Sequence, residues 1–129
     1  MTAFKYGFLS HHVEAGHGGH FTMDLFECPK DKLSSQDFIT RFLDQFPGEI
    51  EMHKVSEPSV FPWEDKDGGR GLSGVVLITE SHITVHTFPE KGMAFVDVFS
   101  TKDFNLAFAS NYIANYFEST KYEVSKIGS

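Results

Sequence analysis

Cysteine is nearly absent. Cys28 is the single one in 129 residues, so no internal disulfide can brace the chain and a reducing cytoplasm is the expected setting. Basic residues are also few: 11 Lys and Arg stand against 18 Asp and Glu, a net charge of -7. The concentrated basic patch that holds nucleic acid is therefore not expected. No apolar run approaches the ~20 residues of a membrane helix, and the opening MTAFKYGFLSHH lacks the basic-then-apolar order of a signal peptide. Neither nucleic acid nor membrane is an expected partner. Repeats, low-complexity tracts and linkers are missing too, and residues 1–129 suit a single domain with one core.

What the chain does hold is short patterned runs rich in aromatic and branched apolar residues, with 14 Phe among them. Ahead of these runs, His11, His12, His17 and His20 crowd one segment, and four imidazoles can bind zinc, copper or nickel. Gly16, Gly18 and Gly19 would leave such ligands without the supporting hydrogen bonds that orient them. Residues 1–18 are therefore expected to form a mobile arm, with no metal site.

Phe21, Met23 and Leu25 alternate with Thr22 and Asp24, which predicts a first strand over residues 21–26. Cys28 closes it and is expected to be a buried, inert thiol. Behind the polar run Ser34-Ser35-Gln36-Asp37, the residues Phe38, Ile39, Phe42, Leu43 and Phe46 recur at three and four, a capped amphipathic helix. Pro47-Gly48 should end it. Weak alternation predicts a second strand over residues 49–55, and the prolines, acids and glycines of residues 57–70 predict a surface loop. In that loop Phe61 and Trp63 either pack back onto the sheet, the commoner fate of aromatics, or stack on a ligand ring.

Residues 75–79 and 83–88 are β-branched runs that read as strands. Between them stands Glu80-Ser81-His82. Three residues able to attack or to move protons, interrupting a strand pattern, mark a functional site. By strand parity His82, Thr84 and His86 share one face, and Ser81, Ile83 and Val85 the other. After the turn Pro89-Glu90-Lys91-Gly92 a further strand is expected over residues 93–99. Phe104, Ala107, Phe108, Tyr112 and Tyr116 then predict a helix over residues 103–117 with Asp103 as its cap, and residues 121–127 an edge strand. The order implies an α+β two-layer sandwich, a mainly antiparallel sheet with two helices on one face.

Leu72-Ser73-Gly74-Val75-Val76, Glu80-Ser81-His82, His86-Thr87-Phe88-Pro89-Glu90 and Asp97-Val98-Phe99 together resemble the core of the bacterial S-adenosylmethionine decarboxylase family. The match runs without gaps through residues 72–99 and more loosely through residues 19–28. It implies the same α+β fold and a proenzyme that cuts itself between Glu80 and Ser81, turning Ser81 into a covalent pyruvoyl cofactor. It further implies a homodimer acting on S-adenosylmethionine in spermidine synthesis. By this resemblance His86 and Ser73 are the processing pair, His86 removing a proton and Ser73 positioning an ester. Glu90 would hold the ribose hydroxyls of the substrate, and Phe61 or Trp63 would stack on its adenine.

At one position the chain departs from the family. Thr101, followed by Lys102, stands where the family has the cysteine that returns a proton to the substrate after carbon dioxide leaves. Three outcomes are open. Protonation runs through Thr101, Ser100, Lys102, a histidine or water; or the same chemistry serves arginine or ornithine; or the chain is a non-cleaving homologue that binds or regulates. Glu90 favours a ribose-bearing substrate, since a simple amino acid offers no vicinal hydroxyls.

Overall fold

The computed structural model describes residues 19–127; the expected arm over residues 1–18, with His11, His12 and His17, lies outside them. Strand β1 (Gly19–Phe26) buries Phe21, Met23 and Leu25 and leaves the alternate side chains half-covered, as a period of two requires. His20, expected at the edge of a mobile arm, is in this strand. A one-turn helix, α1 (Lys30–Leu33), leads to α2 (Gln36–Glu49). The Ser35 hydroxyl caps α2 by accepting the Phe38 N–H at 3.0 Å.

The strand expected over residues 49–55 does not form. Helix α2 runs through Pro47, which is buried in its last turn beside Phe46. The chain then turns at Glu51 (φ 62°), with the Met52 N–H bonded to the Pro47 carbonyl. The segment touches the sheet only at its end, through an isolated bridge from Lys54 to Ile78 and the Val55 N–H donated to the Leu77 carbonyl at 2.8 Å. The missing strand lies instead in the segment read as a loop, as β2 (Ser59–Glu64). Pro62 obscured it, yet an edge position tolerates a residue without an N–H. The Asp65 carboxylate closes the following turn by accepting the N–H groups of Asp67 and Gly69 at 2.9 and 2.8 Å.

Strands β3 (Arg70–Ile78), β4 (Ser81–Phe88) and β5 (Met93–Ser100), helix α3 (Leu106–Tyr116) and strand β6 (Lys121–Lys126) complete the chain. The sheet order is β2-β3-β4-β5-β1-β6, every neighbour antiparallel. The α3 cap is Asn105, whose side chain accepts the Phe108 N–H at 2.9 Å. The helix thus starts later than the expected Asp103 cap.

Helices α2 and α3 lie together on one face, Phe42 meeting Tyr116 and Phe117 at ring distances of 5.3 and 5.0 Å. Under them Gly74 lets α2 approach β3, since a Cβ there would come within 2.8 Å of Leu43. The other face stays open. It carries His82, Thr84, His86 and Phe88 from β4, Phe95, Asp97 and Phe99 from β5, and Phe61 and Trp63 from β2, with Phe61, Leu77, Phe95 and Phe99 exposed. No helix among the described residues is long and apolar enough to cross a membrane.

Candidate active site

The residues singled out in the sequence fall at two ends of one strand. At the first end, Thr79 and Glu80 join β3 to β4, with Ile78 facing Ser81 across the hairpin. Glu80 sits in the left-handed region (φ 59°), a conformation that costs a residue with a Cβ about 1 kcal/mol or more. Ser81 follows directly, and its Oγ accepts the Thr101 main-chain N–H at 3.0 Å. Ser100 braces that approach, its buried hydroxyl bonding both the N–H and the carbonyl of Lys102 at 2.9 and 2.8 Å. The expected neighbours Glu80, Ser81 and Thr101 thus do come together.

Ser73 and His86 also come together, Ser73 Oγ standing 2.8 Å from His86 Nδ1. They pair because β3 and β4 place them directly opposite each other on the open face. They do not meet Ser81. His86 is five residues further along an extended strand and on the opposite face, a span of about 17 Å. Within one chain His86 therefore does not reach Ser81, because a strand cannot fold back on itself over five residues.

Glu90 is farther still, on the turn after β4. There it lines an open cleft of about 600 Å³ with Trp63, Arg70, Gly71 and Pro89. Gly71 makes room, since a Cβ would collide with the Trp63 ring at 2.5 Å and the Thr87 carbonyl at 2.0 Å. Trp63 packs edge-on against Phe88 (5.5 Å), the first of the two fates foreseen for it, and also lines the cleft. Phe61 does not line that cleft and is 61% exposed. Glu90 pairs with Lys30 at 2.8 Å, both side chains largely in solvent, where such a pair is weak and readily exchanged.

Cys28 cannot stand in for the missing cysteine near Ser81. Its N–H bonds the Gly92 carbonyl at 2.9 Å, at the Glu90 end of the sheet. It is buried as expected, and burial pushes the thiol up to about 11.

One cluster escaped sequence reasoning. On the open face Asp97 lies 2.7 Å from His20 and 3.9 Å from His82, while the His82 ring stacks on Phe99 at 5.6 Å. Parity put His82 on that face, but the register of β4, β5 and β1 was needed to join residues 77 positions apart. Arg70 in the cleft was missed for the same reason.

A family model described as S-adenosylmethionine decarboxylase matches residues 19–128. S-adenosylmethionine decarboxylase proenzyme 2 of Halalkalibacterium halodurans is 37% identical over 113 residues, covering 85% of this chain and 84% of that protein. The proenzyme of Geobacillus kaustophilus is 38% identical over 99 residues, covering 75% and 74%. The crystal structure of the adenosylmethionine decarboxylase from Aquifex aeolicus superposes with a TM-score of 0.68 at 27% identity, covering 88% of this chain and 90% of that one.

Proposed function

The chain belongs to the S-adenosylmethionine decarboxylase family, and we propose that as one domain it cuts itself between Glu80 and Ser81 and then decarboxylates S-adenosylmethionine for spermidine synthesis. The observation that carries this reading is the geometry at the cut. Glu80 is held in the left-handed region, and the next hydroxyl, that of Ser81, is fixed by the Thr101 N–H at 3.0 Å. A serine so placed beside a strained peptide fits the formation of a pyruvoyl terminus. A pyruvoyl group supplies a carbonyl able to accept the electron pair left when an amino acid loses carbon dioxide, which no ordinary side chain can do.

The remaining work falls to side chains. Ser73 engages His86 Nδ1, leaving Nε2 as the ring nitrogen that moves a proton. Glu90 accepts the ribose hydroxyls with its two carboxylate oxygens, exchanging them for the solvent-exposed Lys30, and Trp63 offers its ring to the adenine, with Phe61 the second choice. Thr101 fills the place of the family cysteine. Its hydroxyl is a far weaker acid than a thiol titrating near ~8.5, so protonation of the substrate carbon becomes the slow step.

Ser81 and the group formed by Ser73, His86, Trp63 and Glu90 stand at opposite ends of β4. This separation supports a homodimer in which two open faces meet about a two-fold axis, Ser81 of one protomer facing His86 and Glu90 of its partner. The exposed Phe61, Leu77, Phe95 and Phe99 give that face the apolar surface an interface needs. A reducing cytoplasm suits the single buried thiol.

The test is the intact mass of freshly purified protein under denaturing, reducing conditions, beside Ser81→Ala, with release of carbon dioxide from S-adenosylmethionine measured in parallel. Two fragments meeting between Glu80 and Ser81, absent in the variant, are expected. A single full-length mass after prolonged incubation would overturn the proposal.

A further inference from the structure

We propose that the group acting on the Ser81 oxygen during self-cleavage is the main-chain N–H of Thr101 rather than any side chain at that position. This rests on the self-cleavage reading above. The cut needs one oxygen to change character twice. First, Ser81 Oγ loses its hydrogen and bonds to the Glu80 carbonyl carbon. The Glu80–Ser81 C–N bond breaks, and the proton ends on the Ser81 nitrogen, leaving an ester. Next, a base takes the Ser81 Cα proton and the Cβ–Oγ bond breaks, the electron pair leaving on Oγ as part of the Glu80 carboxylate. Water then replaces the nitrogen at Cα, which departs as ammonia.

In the second of these steps negative charge grows on Oγ as it leaves Cβ, whereas in the first Oγ is the nucleophile and the charge grows on the Glu80 carbonyl oxygen. The Thr101 N–H already points at this atom from 3.0 Å, and a donor in place before the charge appears needs no rearrangement when it does. Hydrogen bonds to an anionic oxygen are about twice as strong as neutral ones, so the contact favours the elimination, in which Oγ departs as a carboxylate oxygen, over the resting state. The donor is held from behind. Ser100 Oγ, buried at the end of β5, bonds both main-chain groups of Lys102 and so fixes the backbone on either side of the Thr101 amide.

A main-chain donor does not depend on the residue that carries it. Replacing the family cysteine by threonine therefore leaves scission untouched while weakening protonation of the substrate. The two duties of this position separate, one belonging to the backbone and one to the side chain.

The experiment follows scission by intact mass in Thr101→Pro, Thr101→Ala and the wild type. Proline removes the N–H, and Ser100 before it is already extended in β5, the conformation that a residue preceding proline favours. Scission should slow roughly 100-fold in Thr101→Pro, the usual loss for one oxyanion donor, and stay at the wild-type rate in Thr101→Ala. If circular dichroism shows that proline disturbs the fold, threonine's α-hydroxy acid at 101, which turns only this amide into an ester, decides between the two outcomes. Wild-type-like scission without the N–H, or an equal slowdown in Thr101→Ala, overturns the inference. An uncut wild type instead overturns the self-cleavage reading itself.

Discussion

Two variants that each fail alone should form one working site when mixed. In Ser81→Ala the nucleophile is missing, and in His86→Ala the proton-moving partner of Ser73 is. Within one chain these groups are five strand residues apart, about 17 Å, whereas proton transfer needs heavy atoms within about 3 Å. If the open faces pair, a mixed dimer holds one complete site, made of Ser81 from the His86→Ala chain and His86 from the Ser81→Ala chain. Random pairing after equal co-expression puts about half of the His86→Ala chains in such mixed dimers. About half of them should then be cut, and no Ser81→Ala chain should be. Tags of different mass let one spectrum report both chains, and light scattering confirms the dimer. Scission of His86→Ala on its own, or no scission in mixed dimers that do form, would refute the shared site.

Restoring a thiol by Thr101→Cys should raise kcat for decarboxylation roughly 100-fold, the low end of the range of general acid catalysis, and add a limb near ~8.5 to the pH profile; an unchanged kcat counts against the position as proton donor. Glu90→Ala should raise KM for S-adenosylmethionine by about 100-fold through loss of charged hydrogen bonds to the ribose, with scission unaltered, and an unchanged KM would remove Glu90 from the substrate site. Folding raises the Cys28 thiol from 9.0 to about 11, so as pH climbs through that interval the unfolded chain loses its proton first. The stability tied to Cys28 is full below 9.0 and declines toward about 11. Urea midpoints of wild type minus Cys28→Ala should fall across this interval, and a flat difference would refute the assignment.

Strands β1, β3, β4 and β5 were legible because buried Phe21, Met23 and Leu25, or Ile83 and Val85, alternate with polar neighbours, a pattern local to each run. The edge strand β2 was not, since an edge needs pairing on one side only and Pro62 is compatible with it. Residues 49–55 misled in the opposite sense: Ile50 and Met52 are buried at the end of α2 rather than in a sheet. At the site, the pairing of Ser73 with His86 followed from one hairpin register. The Asp97 cluster and the Thr101 amide depend on tertiary register and main-chain direction, which residue identity does not encode locally.

The position of the Glu80–Ser81 bond bears on what a cut would do to the molecule. Residues 1–80 would keep β1, β2 and β3, and residues 81–129 would keep β4, β5 and β6. The two pieces would be interleaved rather than adjacent, because β1 of the first lies between β5 and β6 of the second, while β3 stays zipped to β4. Pulling them apart would tear three ladders, β3–β4, β5–β1 and β1–β6. A nick at the tip of this hairpin severs a covalent bond and no rung of the sheet, so the halves remain woven into one body and the new chain end stays where it was made.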